Sequence, residues 1–206
     1  MHNKTESDRK LYSAACERNQ QGISEVLTRY FPEKSKILEV ASGTGQHADF
    51  FSNLPANWIW QTSDIEENYL KSIKTYATES NNSHFLSPLV ISTLDEDWSI
   101  AQYDGIFCSN MIHISPWDSC RGLFRLARHH LNKSSYLILY GPFFESGTTP
   151  AESNLEFDKY LNNLDSSFGI RFIHDVKDLA TNQGFHLITK HEMAANNLCL
   201  VFKNGD

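Results

Sequence analysis

Hydrophobic positions along the chain switch repeatedly between helical and strand periods. Leu11, Ala14 and Ala15, then Ile23, Val26, Leu27 and Tyr30, fall at helical spacing on either side of Asn19-Gln20-Gln21-Gly22, which predicts two helices with a break. Pro32 ends the second. Lys36 to Ala41 is nearly continuous in apolar residues, as in a strand covered on both faces. A turn with Gly43 and Gly45 follows, then a helix to about Leu54. Trp58, Ile59 and Trp60 open a second strand that finishes at Ser63-Asp64, and Glu66 to Thr78 reads as a helix that Ser63 or Asp64 can cap. His84 to Thr93 holds a short strand and a loop, and Tyr103 to Ser109 a fourth strand. Leu123, Phe124, Ala127 and Leu131 mark a helix, Ser135 to Tyr140 a fifth strand stopped by Gly141-Pro142. Helices are predicted over Asn154 to Leu164 and Asp175 to Asn182. Phe185 to Lys190 and Leu198 to Lys203 predict a closing antiparallel hairpin.

Strands alternating with helices predict a doubly wound α/β sheet with right-handed crossovers, and the terminal hairpin favours the methyltransferase variant over the plain dinucleotide-binding one. A ligand then belongs at the carboxyl ends of strands one to four, beside the switch point.

Composition narrows the partners. The 206 residues, 40% of them hydrophobic, predict a single domain over 1–206. A net charge of -7 gives no footprint for nucleic acid, so small molecules are the expected partners. Cys16, Cys108, Cys120 and Cys199 are widely spaced, which fits reduced structural thiols. No apolar run reaches membrane-spanning length and Met1 to Lys10 lacks a signal-peptide core, so a cytoplasmic protein without membrane contact is expected.

The candidate chemistry centres on the glycine turn. Bare Cβ positions at Gly43 and Gly45 let backbone approach a ligand, and the following helix points its first N–H groups at it. Glu39, just before the turn, would repel a pyrophosphate but suits the amino group and sulfonium of S-adenosylmethionine. Asp64 can accept both ribose hydroxyls or merely cap a helix. Asp95 or Asp97 can accept from an adenine amino group, while Trp98 either covers the ring or packs in the core. Asn110 and Met111 follow strand four, and His113 beyond them is a candidate general base. His129-His130 diverge on a helix, so no metal site is assigned. Arg121, Arg125 and Arg128 share a face expected to be solvated.

Leu38-Glu39-Val40-Ala41-Ser42-Gly43-Thr44-Gly45-Gln46-His47-Ala48, Asn110-Met111-Ile112-His113-Ile114-Ser115-Pro116-Trp117, Tyr140-Gly141-Pro142-Phe143, Ala195-Asn196-Asn197-Leu198 and Ser13-Ala14-Ala15-Cys16-Glu17-Arg18-Asn19 together resemble a family of small stand-alone class I methyltransferases of undefined substrate, related to the human methyltransferase-like proteins. The resemblance implies a Rossmann-like, seven-stranded, mostly parallel fold that binds S-adenosyl-L-methionine. It places Glu39, Ala41, Gly43 and Gly45 at the methionine side, Ser42 and Thr44 among the cofactor contacts, Asp64 at the ribose, and Asn110 and Met111 after strand four. Arg18 and Asn19 become additional contacts in an N-terminal helical segment, 1–31, that folds over the cofactor as a lid. Ser92 stands where that family usually has an Asp at the adenine; Ser92 or Asp95 would serve there. Tyr140, Phe143, Trp117, His113, Asn196 and Asn197 would gather an aromatic pocket for a small-molecule acceptor, with His113 and Tyr140 as candidate catalytic groups. Two rivals remain at this stage: an NAD-dependent oxidoreductase, against which Glu39 argues, and a non-catalytic methyltransferase-fold subunit, to which Ser92 lends some footing.

Overall fold

The computed structural model describes residues 10–205. The elements run α1 (Ala14–Tyr30), β1 (Lys36–Val40), α2 (Gln46–Ser52), β2 (Ile59–Asp64), α3 (Glu67–Ser80), β3 (Phe85–Val90), β4 (Tyr103–Ser109), α4 (Trp117–His130), β5 (Leu131–Pro142), α5 (Glu152–Leu164), α6 (Ile173–Asn182), β6 (Phe185–Met193) and β7 (Asn197–Asn204). The strand order is β3-β2-β1-β4-β5-β7-β6. β1 and β2 pair in parallel, as do β2 and β3, while β7 runs antiparallel to both β5 and β6. The expected seven-stranded, mostly parallel sheet with a C-terminal hairpin is therefore present. Chain order reverses between β1 and β4, which is where such sheets hold their ligands. Among the described residues no helix is long and apolar enough to cross a membrane. The chain divides into two compact units, 10–92 with 103–107, and 93–102 with 108–205.

In the first unit, Phe51, Trp60 and Phe107 form a buried ring cluster, with Phe51 and Trp60 centroids 5.1 Å apart and Phe51 and Phe107 5.8 Å apart. Seven-residue α2 is too short to persist alone, and Phe51 gives it the tertiary anchor it needs. Sequence pattern predicts two N-terminal helices; the structure has one. Gly22 lies inside α1, where it costs about 1 kcal/mol relative to alanine. Burial of Ile23, Val26 and Leu27 outweighs that cost, and the Ser13 hydroxyl caps the helix by accepting from the Cys16 N–H. The predicted lid segment reaches into 1–9, which lies outside the described residues.

The second unit is built on α4, whose buried face carries Cys120, Leu123, Phe124, Leu126 and Ala127. Phe124 stands edge-on to Phe185 and Phe202, at centroid distances of 5.6 and 5.2 Å. Gly122 is obligatory: a Cβ there would lie 1.7 Å from the Thr93 carbonyl oxygen. β5 is longer at both ends than the pattern suggests. Its first residues are held by Asn204, whose amide donates to the Leu131 and Asn132 carbonyls, and its last, Gly141-Pro142, pair with Leu198 and Asn197 instead of stopping the strand.

Candidate functional site

The loop after β1 takes its shape from three left-handed residues, Ala41 (φ 56°), Gly43 (φ 56°) and Gly45 (φ 89°). Only the last two are glycines, so Ala41 carries the steric cost of a side chain in that region. The two glycines serve different ends. A Cβ on Gly45 would sit 3.1 Å from Ile73, whereas one on Gly43 would meet nothing within 4 Å. Gly43 therefore faces open space, and its backbone is the part of the turn a ligand can approach closely.

Asp64, at the end of β2, braces that turn. Its Oδ2 accepts the Gly43 N–H at 2.9 Å, and its Oδ1 accepts the N–H groups of Ile65 and Glu66 at 2.8 and 3.0 Å. It thus organises the turn before α3 and does not cap that helix, whose first turn has no side-chain cap. Ser42 and Ser63 lock the same corner: Ser42 N–H donates to the Ser63 carbonyl, Ser63 N–H to the Ser42 hydroxyl, and Ser63 Oγ to the Glu39 carbonyl. Thr44 Oγ1 accepts the Gln46 N–H, and its carbonyl accepts from Ser72.

Glu39 is turned into the core, with 1% of its surface exposed. Trp60 Nε1–H donates to it at 2.9 Å. Burial pushes its pKa up to about 7, against the Trp60 and Ser42 hydrogen bonds, and the Asp64 charge adds to the rise. His47 Nδ1 lies 3.9 Å from Glu39, but burial pushes its pKa down to about 4, so the contact is not an ion pair at neutral pH. His47 Nε2 lies 2.7 Å from Asn19 Oδ1, and the Ser13 N–H donates to Gln46 Oε1. These bonds dock α1 on α2 and engage Asn19, one of the expected cofactor contacts. Arg18 is exposed on the same helix. Glu39, treated as a fixed anion on sequence grounds, is a titrating group because it is desolvated.

Ser92 is half-buried, after β3. In the second unit Asp95 is exposed, and its carbonyl accepts from Arg125. The Trp98 ring is buried, 5.4 Å beneath the Arg125 guanidinium and edge-on to His130 at 6.2 Å. Of its two readings, core packing is the one found. Arg121 and Arg128 are exposed as expected, but Arg125 is half-buried through this stacking. Arg121, Arg125, Arg171, Trp117, Asp175 and Asp178 line a groove of about 820 Å³ with charges of both signs.

The segment after β4 is bound tightly within the second unit. Asn110 is left-handed (φ 60°), donates its N–H to the Tyr140 carbonyl, and precedes a single 3-10 turn, Met111–His113, in which all three residues are buried. Tyr140 is buried too, at 3% exposure. His113 is wholly buried, and burial, together with the nearby Arg171 charge, pushes its pKa down to about 3. Its Nδ1 accepts the Arg171 main-chain N–H at 3.3 Å, which places the proton on Nε2. Desolvation thus makes His113 a weak base, with Nδ1 already engaged by the Arg171 N–H.

Arg171 is the residue that pattern reading missed. Its Nε donates to the Ile112 carbonyl and its Nη2 to the Ser115 and Ser167 carbonyls, at 2.9, 2.7 and 2.8 Å, and the guanidinium lies 5.6 Å over Trp117. No local signal marks it. Of the acceptor-side residues, Trp117, His113 and Phe143 are joined by these contacts, with His113 edge-on to Phe143 at 4.8 Å. Asn196 bonds elsewhere, its amide to Ser153 and its carbonyl from Asn154, and Asn197 donates to Ala194 and Ala195. Among the described residues no group of His, Cys, Asp or Glu is arranged to hold a metal ion.

Strand order, glycine turn and braced β2 carboxylate together define a Rossmann-like methyltransferase fold. Solved structures agree. An O-methyltransferase family 2 protein from Planctomyces limnophilus in complex with apigenin superposes with TM-score 0.79 at 17% identity, over 92% of this chain and 58% of its own. A putative sarcosine dimethylglycine methyltransferase from Galdieria sulphuraria gives 0.72 at 13% identity, covering 96% and 92%. NcsB1, an O-methyltransferase from neocarzinostatin biosynthesis crystallised with S-adenosylmethionine and a hydroxy-methyl naphthoic acid, gives 0.74 at 14%, covering 93% and 55%. The chain spans a little over half the length of the first of these. It belongs to the family described as "Protein of unknown function (DUF938)", which matches residues 10–204.

Proposed function

We propose that the protein is an S-adenosylmethionine-dependent methyltransferase acting on a small-molecule acceptor. The observation that carries this reading is the open backbone at Gly43, held by the Asp64 carboxylate at the end of the next strand. S-Adenosylmethionine and S-adenosylhomocysteine in two structures of one neighbour of the same fold, NcsB1, support the choice of cofactor. Glu39, Ala41, Gly43 and Gly45 are the proposed methionine-side contacts, Ser42 and Thr44 further cofactor contacts, Asp64 the ribose contact, Ser92 an adenine contact, and Arg18 and Asn19 contacts from α1. From the second unit, Asn110 and Met111 are the proposed contacts.

Methyl transfer from a sulfonium is an in-line displacement, so the protein's work is alignment and exclusion of water. Buried Phe143 and Tyr140 suit an organic acceptor, and Tyr140 is the proposed acceptor-side polar group. A cation bound beside Glu39 favours its carboxylate form, so cofactor capture near neutral pH releases a proton from a group with a pKa of about 7. Asp64→Ala tests the assignment: it removes both the ribose acceptor and the brace on Gly43. Adenosylhomocysteine affinity is expected to fall at least 100-fold while the chain stays folded. Unchanged affinity in that variant contradicts the site.

A further inference from the structure

His113 holds a buried donor with nothing to bond. The side chain is wholly buried, and Nε2 has no hydrogen-bond partner. A donor left in this state costs free energy and calls for an explanation. The residue is held at three points. Its main-chain N–H donates to the Asn110 carbonyl, its carbonyl accepts the Gly169 N–H at 2.9 Å, and Nδ1 is taken by Arg171. Phe143 closes one side of the ring. Gly141 is also close, where a Cβ would fall 2.7 Å from His113 Nε2 and 3.1 Å from Asn110 Oδ1. The donor and the Asn110 amide oxygen thus flank one bare Cα. Asn110 Nδ2 meanwhile donates to the Ser109 hydroxyl at 3.2 Å, and its oxygen is not bonded to the His113 donor.

We infer that His113 is a positioning residue whose Nε2–H captures the Asn110 side-chain oxygen when cofactor binds, fixing the amide in the orientation that meets the ligand. The inference rests on the proposed cofactor. Arg171 acts one step further back: its main chain sets the His113 tautomer, and its guanidinium ties the Ile112 and Ser115 carbonyls to that of Ser167, so the donor cannot drift. Gly141 is glycine because a side chain would occupy the ground between donor and acceptor.

The test is a double-substitution cycle read by adenosylhomocysteine affinity in the full chain. His113→Phe keeps a ring against Phe143 but loses the donor, and is expected to weaken binding about tenfold. His113→Gln keeps an N–H near the Nε2 position and is expected to recover most of that loss, a rescue that a packing role would not produce. Asn110→Ala weakens binding by itself, and adding His113→Phe to it costs little more. Independent, multiplying losses overturn the inference, as does wild-type affinity in a folded His113→Phe chain. Should that variant fail to fold, nitrogen NMR of the wild-type imidazole decides: a neutral Nε2–H form whose proton signal moves on adding adenosylhomocysteine, but not in Asn110→Ala, is expected, and an Nδ1–H form contradicts it. A wild-type chain that binds no adenosylhomocysteine defeats the proposed function along with the inference; binding without coupling defeats the inference alone.

Discussion

The glycine turn after β1 and the turn after β4 solve the same problem by different means. Both start from a strand's carboxyl end and both contain left-handed residues, Ala41, Gly43 and Gly45 in one and Asn110 in the other. The first is braced by its neighbour in the βαβ unit: Asp64 and Ser63 bond Gly43, Ser42 and Glu39 across adjacent strands. The second is braced from far along the chain, by Arg171 and Gly169. Their buried ionisable groups diverge as well. Desolvation raises Glu39 to about 7 and lowers His113 to about 3, so in both cases the neutral form is favoured, yet only Glu39 is poised to change charge at physiological pH. A buried group able to change charge near neutral pH thus belongs to one turn, and a buried neutral donor to the other.

The sharpest way to break this contrast is to add one methyl group in the first turn, at Gly43, and one against the second, at Gly141 of β5. Gly141→Ala drives a Cβ into the His113 ring, whose Nδ1 is engaged by the Arg171 N–H, and overpacking of this kind costs about 3 kcal/mol. Thermal unfolding should show a melting temperature lower by roughly 10 °C. A drop of a degree or less means the ring moves freely.

Next in size is a pH effect. Glu39 holds its proton more tightly in the folded than in the unfolded chain, so its contribution to stability is complete below its ordinary pKa of 4.5 and is lost as pH rises to about 7. His47, lowered to about 4, and His113, lowered to about 3, act in the opposite sense and lose their contribution as pH falls below 6.5. Glu39→Gln removes only the first trend. Its stability relative to the native chain should rise between pH 5 and 7.5 by about 2 kcal/mol, read as the difference between two melting curves against pH. Parallel curves would mean that Glu39 is ionised throughout.

Gly43→Ala places its methyl in open space, so only the left-handed backbone opposes it, at about 1 kcal/mol. Affinity for adenosylhomocysteine should nevertheless fall more than tenfold, because the methyl would stand where the proposed cofactor approaches. Equal losses of stability at Gly43 and Gly141 would erase the distinction drawn between the turns. Smallest is Ala41→Gly, which relieves strain while freeing the unfolded chain; the two nearly cancel, leaving a gain of about 0.5 kcal/mol by denaturant titration. A loss above about 1 kcal/mol would show that the Ala41 methyl packs usefully.

The same contrast explains what the sequence makes legible. β1, β2 and β4 announce themselves as apolar runs bounded by turn residues, and Tyr103–Ser109 is found at its observed limits because Asp104 and Gly105 interrupt nothing that burial requires. The glycine turn is legible because its chemistry lies in one contiguous stretch. α1 is misread as two helices because Gly22 signals a break that the buried Ile23, Val26 and Leu27 override. The start of β5 is hidden since Asn132, Lys133 and Ser134 are all exposed and give no alternation. Glu39 is found, but its protonation is not, for that depends on Trp60 and on burial beneath α2. Arg171 is invisible because the groups it serves, Ile112, His113 and Ser115, precede it by more than fifty residues, and no local period records that.

Calorimetric titration of the purified chain with adenosylhomocysteine tests the central claim most directly. Saturable one-site binding in the micromolar range, with no response to NAD, is the predicted result. A chain that is folded by circular dichroism yet takes up no adenosylhomocysteine would contradict it.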